Sequence, residues 1–186
     1  MSARNRFKRW LMVIAIAAMI AMPFAATAAG TKTIAPGVTW NIAENVELDS
    51  LTISGGAGVK APGKLLTMIA DGVETQIAPG TYKNVKLVIT DKLNASPVGA
   101  SNRGVDDYRA AVYVDDTGLV ETLSVGDAVS GGKVTAQAAE GIGITSTSDN
   151  FNGIMVSGPV AYAVKDSEFN FNSKSDGSAV SDFDGF

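Results

Sequence analysis

The 186-residue chain contains no Cys and no His, 20 Gly, and 15 Lys+Arg against 19 Asp+Glu. A chain of that length can bury a core of its own. Without Cys or His it forms no disulfide and no thiolate or imidazole metal site, and it carries neither a Ser-His-Asp triad nor a Cys nucleophile.

The N-terminal stretch 1–28 forms a separate block. Arg4, Arg6, Lys8 and Arg9 make a basic head, residues 10–22 an apolar run, Pro23 a helix break, and Ala26-Thr27-Ala28 a small-x-small cleavage site. That order predicts a signal peptide over 1–28, too short in its apolar part to span a bilayer. Arg4 and Arg6 are not adjacent, so ordinary secretory export is expected over the twin-arginine route. The block carries four of the 15 basic and none of the 19 acidic residues, so cleavage leaves 11 against 19, a net of about −8. Such a charge disfavours nucleic acid and anionic membrane surfaces as partners. No later run is apolar enough to insert into a membrane once the signal is gone.

Beyond residue 28 the apolar residues alternate or cluster in short runs bounded by Gly, Pro, Asn and Asp, which is strand punctuation. Strands are expected over 46–53, 65–69, 85–90, 111–114, 141–145, 153–156, 161–164 and 169–171. The one soft helical candidate is 106–111. Tight corners are expected at Ser54-Gly55-Gly56-Ala57-Gly58, Ala61-Pro62-Gly63 and Ala78-Pro79-Gly80. Asp71-Gly72 lies between the apolar runs 65–69 and 73–77 and predicts a two-residue hairpin turn. The segment 91–140 has the weakest pattern, and its order is not legible. Gly141-Ile142-Gly143-Ile144-Thr145-Ser146 is echoed by Gly153-Ile154-Met155-Val156-Ser157-Gly158 and, earlier, by Leu51-Thr52-Ile53-Ser54-Gly55. Phrases of this kind suit solenoid coils, which bury their inner faces only against neighbouring coils.

The later part of the chain carries a more specific pattern. Asn152-Gly153-Ile154-Met155-Val156-Ser157-Gly158 is followed by Tyr162-Ala163-Val164-Lys165-Asp166-Ser167-Glu168-Phe169, then by Asp176-Gly177 and Asp182-Phe183-Asp184-Gly185. This resembles right-handed parallel β-helix proteins of the pectate-lyase-like superfamily. There, an N-G-I-x-V-x-G strand precedes a Y-x-V/I-x-(D/N) strand, a polar turn with D-G and a D-F-x-G phrase. The stretch 48–90 is similar to the N-terminal region of secreted bacterial proteins that carry such repeats. The resemblance covers about half of the chain after residue 28. It implies a coil and not a chemistry, because β-helices serve as lyases, hydrolases, adhesins and phage tail fibres alike. Phe186 falls where another coil is due and no polar cap is evident, so further coils from a longer chain or a partner are expected to close the stack.

The residues that could carry chemistry are few. Asp166, Glu168, Asp176, Asp182 and Asp184 form an acidic tail. Asp176, Asp182 and Asp184 are the candidate Ca²⁺ ligands, by hard oxygen donors at turn spacing, although solvated turn residues have the same composition. In lyases of the resembled family, Ca²⁺ and carboxylates grip a uronate while Arg or Lys takes a proton. The nearest bases here are Lys165 and Lys174. Asn150, Asn152, Asn170 and Asn172 could form asparagine ladders. Phe151, Tyr162, Phe169, Phe171 and Phe183 could form a sugar-stacking platform, or simply core. Arg103 and Arg109, the only arginines after the signal, lie near Asp106, Asp107, Asp115 and Asp116, where surface ion pairs of small value are expected. Asn94-Ala95-Ser96 matches a glycosylation acceptor too common to weigh.

The expected architecture is all-β: a signal peptide over 1–28, a β-rich N-terminal cap with a hairpin or two over 29–135, and the first coils of a right-handed parallel β-helix over 136–186. Its coils would bury Ile142, Ile144, Ile154, Val156, Val164, Phe169 and Phe171. Lacking a nucleophile, a base or a metal motif, the chain reads as a non-catalytic exported protein: a surface adhesin, a structural component, or a binder of polysaccharide or cell-surface glycans. Two alternatives stand. One is the N-terminal part of a polysaccharide lyase or glycoside hydrolase whose active site lies past Phe186. The other is a cap for a longer exported β-helix.

Overall fold

A computed structural model describes residues 30–92 and 108–172. Described in chain order, the strands are β1 (Thr31–Ile34), β2 (Thr39–Asn41), β3 (Val46–Ile53), β4 (Gly58–Lys60), β5 (Leu65–Ala70), β6 (Val73–Thr75) and β7 (Gly80–Thr90), then β8 (Arg109–Asp115), β9 (Gly118–Leu119), β10 (Val129–Val134), β11 (Ala138–Ser146), β12 (Phe151–Val156), β13 (Ala163–Lys165) and β14 (Glu168–Phe171). Two short 3₁₀ turns, Glu121–Leu123 and Gly126–Ala128, are the helical elements among the described residues. The all-β class expected from the sequence is therefore met. The strands form a nine-stranded sheet in the order β1-β3-β7-β5-β6-β11-β10, with β13 and β14 also on β11, a three-stranded sheet β12-β8-β9, and the pair β2-β4. None of these sheets closes on itself.

The N-terminal strands mix two patterns. β1 lies parallel on β3 and β2 parallel on β4, both at the same displacement along the chain: Thr31 faces Ser50 and Thr39 faces Gly58. The corners between them stack as well, Gly37 N–H donating to Gly56 O at 3.3 Å. β3, β7, β5 and β6 then pair antiparallel in that spatial order, so that β7 lies between β3 and β5. Asp71 (φ 50°) and Gly72 (φ 79°) make the two-residue hairpin turn expected from the sequence, both in the left-handed region that such a turn requires. Leu51, Met68 and Leu87, each fully buried, centre the first core.

A second core forms around Val112, Ile142, Ile144 and Ile154. β8 pairs parallel with β12. β11 pairs parallel with β13 and β14 at a single shared displacement, Ala138 facing Ala163 and Gly143 facing Glu168. The echoed phrases 141–145 and 153–156 thus belong to different sheets, each with its own parallel partner. β10 adds antiparallel to β11 through a close backbone approach. At Gly132 (φ 48°) a Cβ would lie 2.2 Å from the Glu140 carbonyl oxygen.

Several expectations need correcting. Residues 109–111 of the soft helical candidate are strand, because Ala110 to Val114 are buried on both faces and a short strand between two layers shows no alternation. β6 ends at Thr75, short of 77. Ile142, Ile144 and Ile154 are core, but Val156 (44% exposed) and Val164 (47%) face out at an open sheet edge, and Phe169 and Phe171 are only half-buried. Residues 108–140, from the segment with the weakest pattern, hold β8 to β10. The signal peptide, Asp176, Asp182, Asp184, Asn94, Arg103, Asp106 and Asp107 lie outside the described residues.

Candidate functional site

The corner after β4 borders an open hollow. Ala61-Pro62-Gly63-Lys64 is a tight turn: Pro62 presets φ, Gly63 takes φ 76°, and Lys64 N–H donates to Ala61 O at 3.0 Å. The turn sets Lys60 and Lys64 at the rim of a groove of about 610 Å³. Gln76, beyond the end of β6, Arg109, at the start of β8, and Asn150, in the β11–β12 turn, line the same groove. A smaller hollow of about 310 Å³, reaching to Asn41 and Ile89, shares the Ala61-Pro62-Lys64 wall. The floor is partly apolar, from Leu65, Leu66 and Ile77. Lys64 pairs with Asp91, and that hydrogen bond holds the Asp91 carboxyl below the usual carboxylate range.

Arg109 also anchors a buried cluster behind the groove. Glu74 is fully buried. Its Oε1 accepts from Arg109 Nη1 at 2.9 Å, its Oε2 from Ser146 Oγ at 2.6 Å, and Ser148 Oγ stands 2.5 Å from both oxygens. Arg109 Nη2 donates to Ser148 Oγ at 3.0 Å and to Asp149 O at 2.8 Å. Its guanidinium lies 5.6 Å from the centre of the Phe151 ring. Every oxygen of the carboxylate is thus matched, which a buried charge requires. The two hydroxyls beside it are out of reach of a substrate, Ser146 being 0% and Ser148 1% exposed. The cluster is therefore structural support for the groove wall and supplies no nucleophile.

Other residues singled out from the sequence go elsewhere. Arg109 turns inward to Glu74, far earlier in the chain, and among the described residues its ion pair is with that carboxylate. Asp115 accepts from Thr117 N–H and Oγ, which lowers its carboxyl. Asn152 is buried and donates to Arg109 O at 3.2 Å, while Asn150, Asn170 and Asn172 are exposed. Phe151 is core, and Phe169, Phe171 and Tyr162 are half-buried and pack against the same core, Tyr162 also donating to Thr135 O; Phe183 lies outside the described residues. Asp166 and Glu168 are exposed, and among the described residues no cluster of three acidic groups is placed to hold a metal.

Glu74, Ser146 and Ser148 escaped sequence reasoning, although one signal was present. A two-residue turn at Asp71-Gly72 forces Ile69 opposite Glu74. Ile69 is buried, so Glu74 must share its face.

Comparison with known proteins finds no family, no curated relative and no solved structure that matches the chain.

Proposed function

We propose that the chain is a non-catalytic exported β-solenoid whose groove beside Lys60 and Arg109 contacts glycans at the cell surface. The carrying observation is a pair of constant displacements. β1/β3 and β2/β4 share one, Thr31 lying over Ser50 and Thr39 over Gly58. β11/β13 and β11/β14 share another, Ala138 lying beside Ala163 and Gly143 beside Glu168. Parallel passes that keep one register over two successive strands are what a coiling chain would produce, and they support this reading. Right-handed winding and the pectate-lyase-like family belong to the same proposal, as does export by residues 1–28. The groove suits a polyhydroxylated ligand: amides at Gln76 and Asn150 match hydroxyls, the lysines match acidic groups, and the Leu65–Ile77 floor matches a ring face.

Affinity electrophoresis against neutral and acidic polysaccharides tests this. At least one polymer should retard the exported protein, and Lys60→Ala or Gln76→Ala should weaken that retardation about fivefold, the size of one hydrogen bond. No shortened or unsaturated sugar should form, with or without added Ca²⁺. Reproducible cleavage would overturn the non-catalytic reading. Retardation unchanged in both variants would remove the groove from the proposal. The mass of the exported protein should place its first residue at Ala29.

A further inference from the structure

The nine-stranded sheet passes from the first core to the second through one rung. β6 meets β11 only where Glu74 faces Ser146. Thr147 adds two bonds to the same residue, from its N–H to Glu74 O at 2.9 Å and from its hydroxyl at 3.2 Å. Of the strands before residue 93, only Ile69 and Val88 enter the second core as buried residues. Apolar contact of that kind has no preferred direction and tolerates sliding. The Glu74 side chain does not. Its carboxylate holds the start of β8 through Arg109, the end of β11 through Ser146 and the turn after it through Ser148. Further links cross between the halves among the described residues, Lys86 to Asp127 and Asp91 to Thr122 among them, the former part-exposed.

We propose that Glu74 is a latch that fixes one alignment of the two cores and makes them unfold as a single unit. Geometry, not net energy, suits it to the role: a buried ion pair adds little over apolar packing, but removing one partner strands the other. This device is independent of any ligand in the groove and goes beyond the glycan proposal.

Pulsed hydrogen exchange read by mass spectrometry across a urea series tests the latch on the full chain. In the unaltered protein, peptides covering 46–53 and 138–146 should lose protection at the same urea concentration. In Glu74→Gln they should separate by roughly 1 M, one core melting before the other. Ser146→Ala with Ser148→Ala, which keeps the ion pair, is measured in parallel so that the test stands if Glu74→Gln fails to accumulate; a smaller separation in the same order is expected. Midpoints that stay coincident in these variants, shifted or not, would overturn the latch. So would separate midpoints in the unaltered protein.

Discussion

At the scale of single residues, the second core depends on side chains with no polar alternative. Ile154 is buried and stands opposite Val112 on the β12–β8 ladder. An Ile154→Asp change would place a carboxylate among the aliphatic groups of the second core. The expected loss is about 3 kcal/mol or more by chemical denaturation, against about 1 kcal/mol for Ile154→Val. Unchanged stability in the Asp variant would mean that β12 is not a core strand. Gly132 is sensitive for a different reason. Its left-handed φ and the nearby Glu140 carbonyl leave no room for a methyl group, so Gly132→Ala should cost about 2 kcal/mol or detach β10. At Gly72, Asp71 and Gly72 both hold positive φ, and Asn84 donates to the Asp71 carboxylate at 2.6 Å. Gly72→Val should cost about 1–2 kcal/mol there, whereas Asp71→Asn should be nearly silent in a thermal melt, because Asn tolerates that conformation.

At the scale of elements, what the sequence displays depends on where each strand's stability comes from. β3 and β5 are rich in aliphatic and β-branched residues and are legible at nearly their true bounds, whereas β11 begins at Ala138, three residues before the expected 141. The Asp71-Gly72 turn is legible because φ > 0 at two successive positions restricts residue choice. β10 reads Val-Ser-Gly-Gly-Lys-Val, a loop by composition, and becomes a strand only because β11 offers it a ladder. β1 and β2 are short edges with exposed polar residues, held by β3 and β4 as the chain passes over them a second time. β7 is legible as a strand, but its slot between β3 and β5 is not: the antiparallel return is a non-local choice that no residue within β7 encodes. The outward position of Val156 and Val164 was hidden for the same reason. Alternation says that a strand has two faces, and only the neighbouring layers decide which of them is covered.

At the scale of the whole molecule, the site was less legible than the fold. The groove is assembled from four stretches separated in sequence, and its cluster needs Glu74 on β6 and Arg109 on β8 to meet. Only the hairpin register pointed to a buried glutamate in need of a cation. The overall charge balance, by contrast, leads to a prediction about alkaline pH. Burial alone would pull the Lys86 ammonium down, but hydrogen bonds and charges from Asp127 (2.6 Å) and Glu47 (3.3 Å) outweigh it and hold the group above its ordinary 10.5. Burial raises the Tyr162 phenol above its ordinary 10.0. In both cases the folded chain keeps a proton that the unfolded chain releases first. The unfolded state then binds fewer protons, so stability is full below about pH 10 and falls as pH rises through the folded values. A series of urea midpoints from pH 8 to pH 11.5 should therefore be flat at first and then decline. Lys86→Met combined with Tyr162→Phe should flatten the decline while lowering the plateau, because Asp127 loses its cation and Thr135 O its donor. A decline of the same steepness in the double variant would assign the alkaline loss to other groups.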